Sequence, residues 1–159
     1  MKDLYLIAVI AGESVALPTN QIDSVVKVRE SVPVPSAAPF ISGLFALRSR
    51  VLTLIDCQYF VTGEPIDLVP GQPAIVVNIG GCSYGLLVDE VLDVIQIRSQ
   101  AIALPGQLPA GWSEIGHALL QVNEATYLLI DPEYLVNPAT RRAAGNTGSA
   151  FHSPQRRSR

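Results

Sequence analysis

Three carboxylates, Asp56, Asp89 and Asp131, each close a short apolar run and stand just before a stretch able to form one helical turn. Carboxylates so placed can trade protons as an acid–base set, or they can accept hydrogen bonds from the unpaired N–H groups that open a helix. Asp56 and Asp131 hold equivalent places in a repeat described below and are therefore not partners in one site. No other polar group converges on them, so capping is the expected role. His117 stands alone in an apolar stretch with Glu114 as its nearest acidic neighbour, and His152 lies near the end of the chain. Both read as structural or surface histidines rather than general bases. Cys57 and Cys82 have no CxxC spacing and no nearby His or Cys to complete a four-ligand metal set, so they read as free, reduced thiols. The patterns GxSxG, GxxxxGK[ST], GxGxxG and HExxH are absent from the sequence. Gly80 and Gly81 fit a hairpin turn, because a phosphate cradle would need a helix after it. No catalytic residue, metal site or cofactor is expected, and a binding function is the natural reading.

The elements that carry these residues are strands. Apolar runs are short, rich in β-branched residues and separated by Gly, Pro, Asn or Ser. Strands are expected at residues 4–10, 14–17, 25–29, 43–48, 51–56, 74–79, 83–88, 94–98, 115–122 and 126–131. Single helical turns fit at 18–23, 57–61, 89–92 and 132–136. With 48% hydrophobic and 16% charged residues the chain is far too apolar to be disordered, and it is long enough to bury a core. The apolar run at 4–11 follows Lys2 as a signal peptide would, but Asp3 spoils the positive start and the run has a strand-like counterpart later in the chain. No stretch reaches the roughly 20 apolar residues that span a bilayer, so a cytoplasmic protein without direct membrane insertion is expected.

Residues 1–138 carry all 14 acidic residues against six basic ones, while 139–159 carry five arginines and no acid. An acidic body repels a phosphate backbone, so no nucleic acid is expected as a partner of the folded part. The last 21 residues lose apolar periodicity and read as a disordered basic tail.

Sliding the chain along itself by 69 residues brings Gly12, Ser14, Leu17 and Val25 onto the identical Gly81, Ser83, Leu86 and Val94. Further on, at an offset of 75, Leu54, Ile55, Asp56, Tyr59 and Val61 meet Leu129, Ile130, Asp131, Tyr134 and Val136, with Gly43 and Gly116 between at 73. A period near 70 suits two copies of a small five-stranded barrel, at 1–67 and 68–138, followed by the tail at 139–159. One copy of roughly 60–65 residues is marginal alone, so the two should share an apolar interface. That sharing accounts for strands that are apolar on both faces, as at 74–77 and 85–88.

The segment 40–56, FISGLFALRSRVLTLID, and the segment 74–94, AIVVNIGGCSYGLLVDEVLDV, are similar to the signature stretches of the CheW family of chemotaxis coupling proteins, and the likeness runs over most of residues 4–137. The chain resembles a diverged member. Ala46, Ser49, Thr53 and Cys57 replace the family's usual Asn, Gly, Pro and Leu, and Ser24 stands where many members place a Glu. The resemblance implies a mainly β fold of two SH3-like five-stranded barrels packed together. It also implies a non-enzymatic adaptor joining the cytoplasmic tip of a chemoreceptor to the regulatory domain of a CheA-type histidine kinase, at membrane-associated receptor arrays. By resemblance, receptor contacts fall on Ile22, Ser24, Gly43, Leu44 and Arg48, and kinase contacts on Asp89, Val91 and Val94. Arg48 sits in an otherwise apolar strand, so its donors must reach either an internal carboxylate or a partner. Two other readings stay open: an RNA- or ribosome-associated small-barrel protein using the arginine-rich tail, and an enzyme built on the three aspartates.

Overall fold

The computed structural model describes residues 3–98, 111–122 and 124–136. Ten strands follow one another: β1 (Asp3–Ile10), β2 (Glu13–Pro18), β3 (Ile22–Val28), β4 (Ile41–Leu47), β5 (Arg50–Asp56), β6 (Gln72–Ile79), β7 (Cys82–Leu87), β8 (Glu90–Ile97), β9 (Gly116–Val122) and β10 (Ala125–Ile130). Short helices α1 (Cys57–Thr62), α2 (Trp112–Ile115) and α3 (Pro132–Val136) and a 3-10 turn at Thr19–Gln21 complete the described elements. All ten expected strands are present, and the fold is mainly β, with two five-stranded sheets.

Three local expectations are corrected. Ile22 and Asp23, expected within the helical turn at 18–23, open β3 instead. Residues 90–92, expected within a helical turn, belong to β8, which pairs with β1 along its length. One turn of helix gains too few hydrogen bonds to compete with a ladder that satisfies the same backbone groups. Ile115, expected to open a strand, instead ends α2. The basic tail at 139–159 lies outside the described residues.

The sheets run β8-β1-β2-β10-β9 and β3-β6-β7-β5-β4. Replacing each strand of one order by its repeat partner five places along the chain produces the other. The division at residue 67 therefore separates the copies of the repeat but not the sheets. Each sheet takes the first two strands of one copy and the last three of the other. Within a copy only the hairpins β1·β2 and β4·β5, or β6·β7 and β9·β10, pair. The pairs β1·β8, β3·β6, β5·β7 and β2·β10 all join one copy to the other, the last two of them parallel.

The equivalence extends to irregularities. The β1·β8 register breaks between Ile7 and Ala8, leaving Leu92 as the extra residue, and β3·β6 breaks at the matching place, leaving Asp23. Likewise β4·β5 skips Ser42 and β9·β10 skips His117. These bulges align Gly43 with Ala118, not with Gly116, correcting the offset of 73. The two glycines answer different local demands. A Cβ on Gly43 would lie 2.8 Å from the Val32 carbonyl oxygen, whereas one on Gly116 would meet Leu128 and the Trp112 carbonyl.

Three cores result, each drawing on both copies. Leu6, Ala8, Ile10, Val15 and Leu17 of one sheet meet Ile55, Ile75, Val77 and Leu86 of the other, sealed by Phe60, Ile115 and Leu135 from the helices. On the far face of the first sheet Ile7 and Ala16 pack with Ile97, Ala118, Leu120 and Leu129. On the far face of the second, Val28 and Leu54 pack with Ala74 and Leu87. Alternate residues of β1 thus enter different cores, which is why residues 6–10 of that strand are apolar without alternation.

Candidate functional site

The three aspartates each have structural work. Asp56, buried at 1% exposure, accepts from the Tyr59 N–H at 3.1 Å to cap α1 and from the Ile66 N–H at 2.8 Å to hold the chain leaving that helix. Burial pushes its carboxyl above the usual 3.8, while the backbone donors pull it back. Asp131 accepts from the Glu133 N–H at 3.0 Å at the start of α3. Asp89 accepts from the Gly12 N–H at 3.1 Å, and its own N–H donates to the Val9 carbonyl at 2.8 Å, fastening the β1–β2 hairpin to β8. His117, the bulge residue of β9, places Nδ1 3.1 Å from the Tyr134 hydroxyl, with the rings edge to face. Cys57 is buried and Cys82 exposed, both as free thiols, and burial pushes the Cys57 thiol far up. Among the described residues no group of three or more His, Cys, Asp or Glu side chains could hold a metal ion. No helix among them is long and apolar enough to cross a membrane.

The residues expected to face a receptor divide between the two edges of the second sheet. Ile22 and Ser24 lie on edge strand β3, and Gly43 and Leu44 on the opposite edge, β4. Ile22 is half-buried against the central core. Gly43 is buried because residue 32 runs beside β4: the Leu44 N–H donates to the Val32 carbonyl at 2.8 Å and the Val32 N–H to the Leu44 carbonyl at 2.9 Å. Arg48 occupies the loop between β4 and β5 with φ of 57°, a left-handed conformation that a tight hairpin requires and that Gly or Asn usually supplies. Its side chain is exposed, with no ion pair or hydrogen bond among the described residues.

The ion pair in this region belongs to residues that the sequence reading passed over. Arg50 at the start of β5 pairs with Asp23, the bulge residue of β3, and also reaches the Ser83 hydroxyl at 3.4 Å, which in turn donates to the Asn78 Oδ1 at 2.9 Å. The Arg50 guanidinium holds the Asp23 carboxyl below its usual 3.8. β3 and β5 are three places apart in the sheet, which in a flat sheet means about 14 Å at ordinary strand spacing. Direct contact requires the sheet to curl, as a small barrel does; β3 and β5 run in the same direction, so Ser24 and the Arg48 loop lie at one end of the sheet. Opposite charges 27 residues apart carry no periodic signal, so nothing in the sequence pairs them.

The residues expected to face a kinase share one edge. Asp89, Val91 and Val94 lie at or along β8. Val91 packs half-buried against the central core, whereas Val94 is 48% exposed. Leu92 on the bulge and Leu4 on β1 are each 50% exposed. Leu6 is directly opposite Val94, which makes Leu4 its diagonal neighbour on the same face. The edge of the first sheet therefore presents Leu4 and Val94 on one face, with half-exposed Leu92 two residues away along β8. At the place equivalent to Leu92 the second sheet carries charged Asp23.

The family model described as CheW-like domain matches residues 4–139. The chemotaxis protein CheW of Treponema pallidum (strain Nichols) is 22% identical over 115 residues, covering 69% of this chain and 68% of that protein. The chemotaxis protein CheW of Thermotoga maritima is 26% identical over 92 residues, covering 58% of this chain and 60% of that one. Among solved structures, the scaffolding protein TtCheW from Thermoanaerobacter tengcongensis superposes with a TM-score of 0.71 at 23% identity, over 82% of this chain and 89% of its own.

Proposed function

Because the chain belongs to the CheW-like domain family, we propose that it is a non-catalytic coupling adaptor, binding the regulatory domain of a CheA-type histidine kinase with one sheet and a chemoreceptor tip with the other. It works in the cytoplasm at membrane-associated receptor arrays. The observation that carries the reading is the apolar edge of β8, where Leu92 and Val94 stand about half exposed beside Leu4. Apolar side chains grouped on the rim of a sheet suit burial against another folded domain. Asp89 shapes this edge through Gly12, and Val91 supports it from the core side. On the second sheet the exposed Arg48, unpaired among the described residues, supports a receptor contact, and Ser24 lies at the same end of that sheet.

The test is binding of purified protein to the cognate kinase regulatory domain and, separately, to a receptor hairpin. Micromolar affinity is expected for interfaces of this modest kind. Val94→Glu should weaken kinase binding at least about tenfold, the effect of roughly 1.4 kcal/mol, and leave receptor binding intact. Arg48→Glu should do the reverse. Absence of binding to either protein overturns the proposal.

A further inference from the structure

The arrangement of strands points to a partner that the surface alone does not reveal. Without the other copy, each copy of the repeat is left with two hairpins and one strand lacking any neighbour, since all four pairings that complete the sheets cross between copies. An isolated hairpin is at best marginal in water. All three cores likewise take residues from both copies. The halves are therefore complementary surfaces, joined covalently only through residues 63–71. We infer that a second copy of this chain can supply either half, two chains exchanging at 63–71 to form a closed dimer in which each half pairs with its complement from the other chain.

Such a dimer keeps every strand pair between halves. It alters only the contacts of the connection itself, chiefly the Asp56 to Ile66 hydrogen bond and the seating of Ile66 and Leu68 on the outer core. The monomer prevails at ordinary concentration because the connection holds the two halves at an effective concentration on the order of millimolar. Chains folding at comparable concentration have no basis for preferring their own half, and once closed the dimer must unfold to part.

The experiment refolds the full chain from denaturant at about 5 µM and at several hundred µM, a range chosen to approach that effective concentration, followed by size-exclusion chromatography with light scattering after dilution. A dimer with the monomer's far-UV spectrum is expected, its share rising with refolding concentration and persisting on dilution. Deleting residues 65–70 should favour the dimer because too little chain is left to close one molecule on itself, and inserting a ten-residue Gly/Ser segment after Glu64 should lower the effective concentration and so raise the dimer share at a given refolding concentration by a few fold. If the deletion variant does not fold, the wild type and the lengthened chain decide alone. A dimer whose share ignores connection length, or no dimer at any concentration, overturns the inference.

Discussion

Arg48 and Arg50 illustrate how one chemistry divides between neighbouring residues. Both flank a tight hairpin, yet Arg50 is spent on Asp23 and Ser83 while Arg48 is held outward by its left-handed backbone. The sequence marked Arg48, because a lone cation in an apolar strand is conspicuous. It hid Arg50, because that residue's partner is set by the curl of a sheet. The ion pair has a pH signature. Asp23 has a lowered carboxyl value in the fold, so its contribution to stability is complete above 3.8, the unfolded value, and is lost as pH falls through the lower folded value. Arg50→Ala should reduce the urea midpoint at neutral pH, and its difference from wild type should vanish well below 3.8. A difference that persists in acid would mean that Arg50 stabilises through packing. Asp56 acts with the opposite sign: its raised value favours the protonated form, so the cost of keeping it ionised is relieved as pH falls through the folded value.

At the scale of elements, every strand was legible because β-branched apolar runs broken by Gly, Pro and Asn admit little else. Their partners were not. An offset of 69 is the same whether two copies fold side by side or trade strands, since self-similarity records what each segment is and not what it touches. The start of β8 escapes the sequence for a related reason: Asp89 looks like a helix cap until its actual client, the Gly12 N–H, is visible. Glycines show the same limit. The sequence presented Gly43 as a receptor contact by resemblance, while the structure gives it a steric reason in the Val32 carbonyl. Gly111, at φ of 96°, abuts the end of α1, where a Cβ would lie 2.6 Å from the Phe60 and Val61 carbonyl oxygens. Alanine at either position should destabilise by roughly 1–3 kcal/mol, the usual effect of overpacking. Amide exchange should quicken at Val32 and Leu44 in Gly43→Ala, and Trp112 emission should shift in Gly111→Ala. Substitution without those local changes would remove the steric account.

For the molecule as a whole, the reciprocal sheets mean that neither half owns a core. Unfolding should therefore be a single transition, with far-UV circular dichroism and the fluorescence of Trp112, the one tryptophan, tracing the same denaturant curve. Two separated transitions would show that one sheet survives the loss of the other. The expected apolar interface between copies is present in a stronger form than two docked barrels, because the copies share hydrogen-bond ladders as well as side-chain contacts.

The same exchange of strands governs how the protein is made. As the chain leaves the ribosome, β1 to β5 emerge first and find no neighbour that can finish a sheet. Their complements lie in the following 70 or so residues, which at roughly 5–20 residues per second take on the order of 4–14 seconds to appear. Through that interval the nascent chain carries apolar segments whose strand partners do not yet exist, which exposes it to aggregation and to chaperone capture before it can fold.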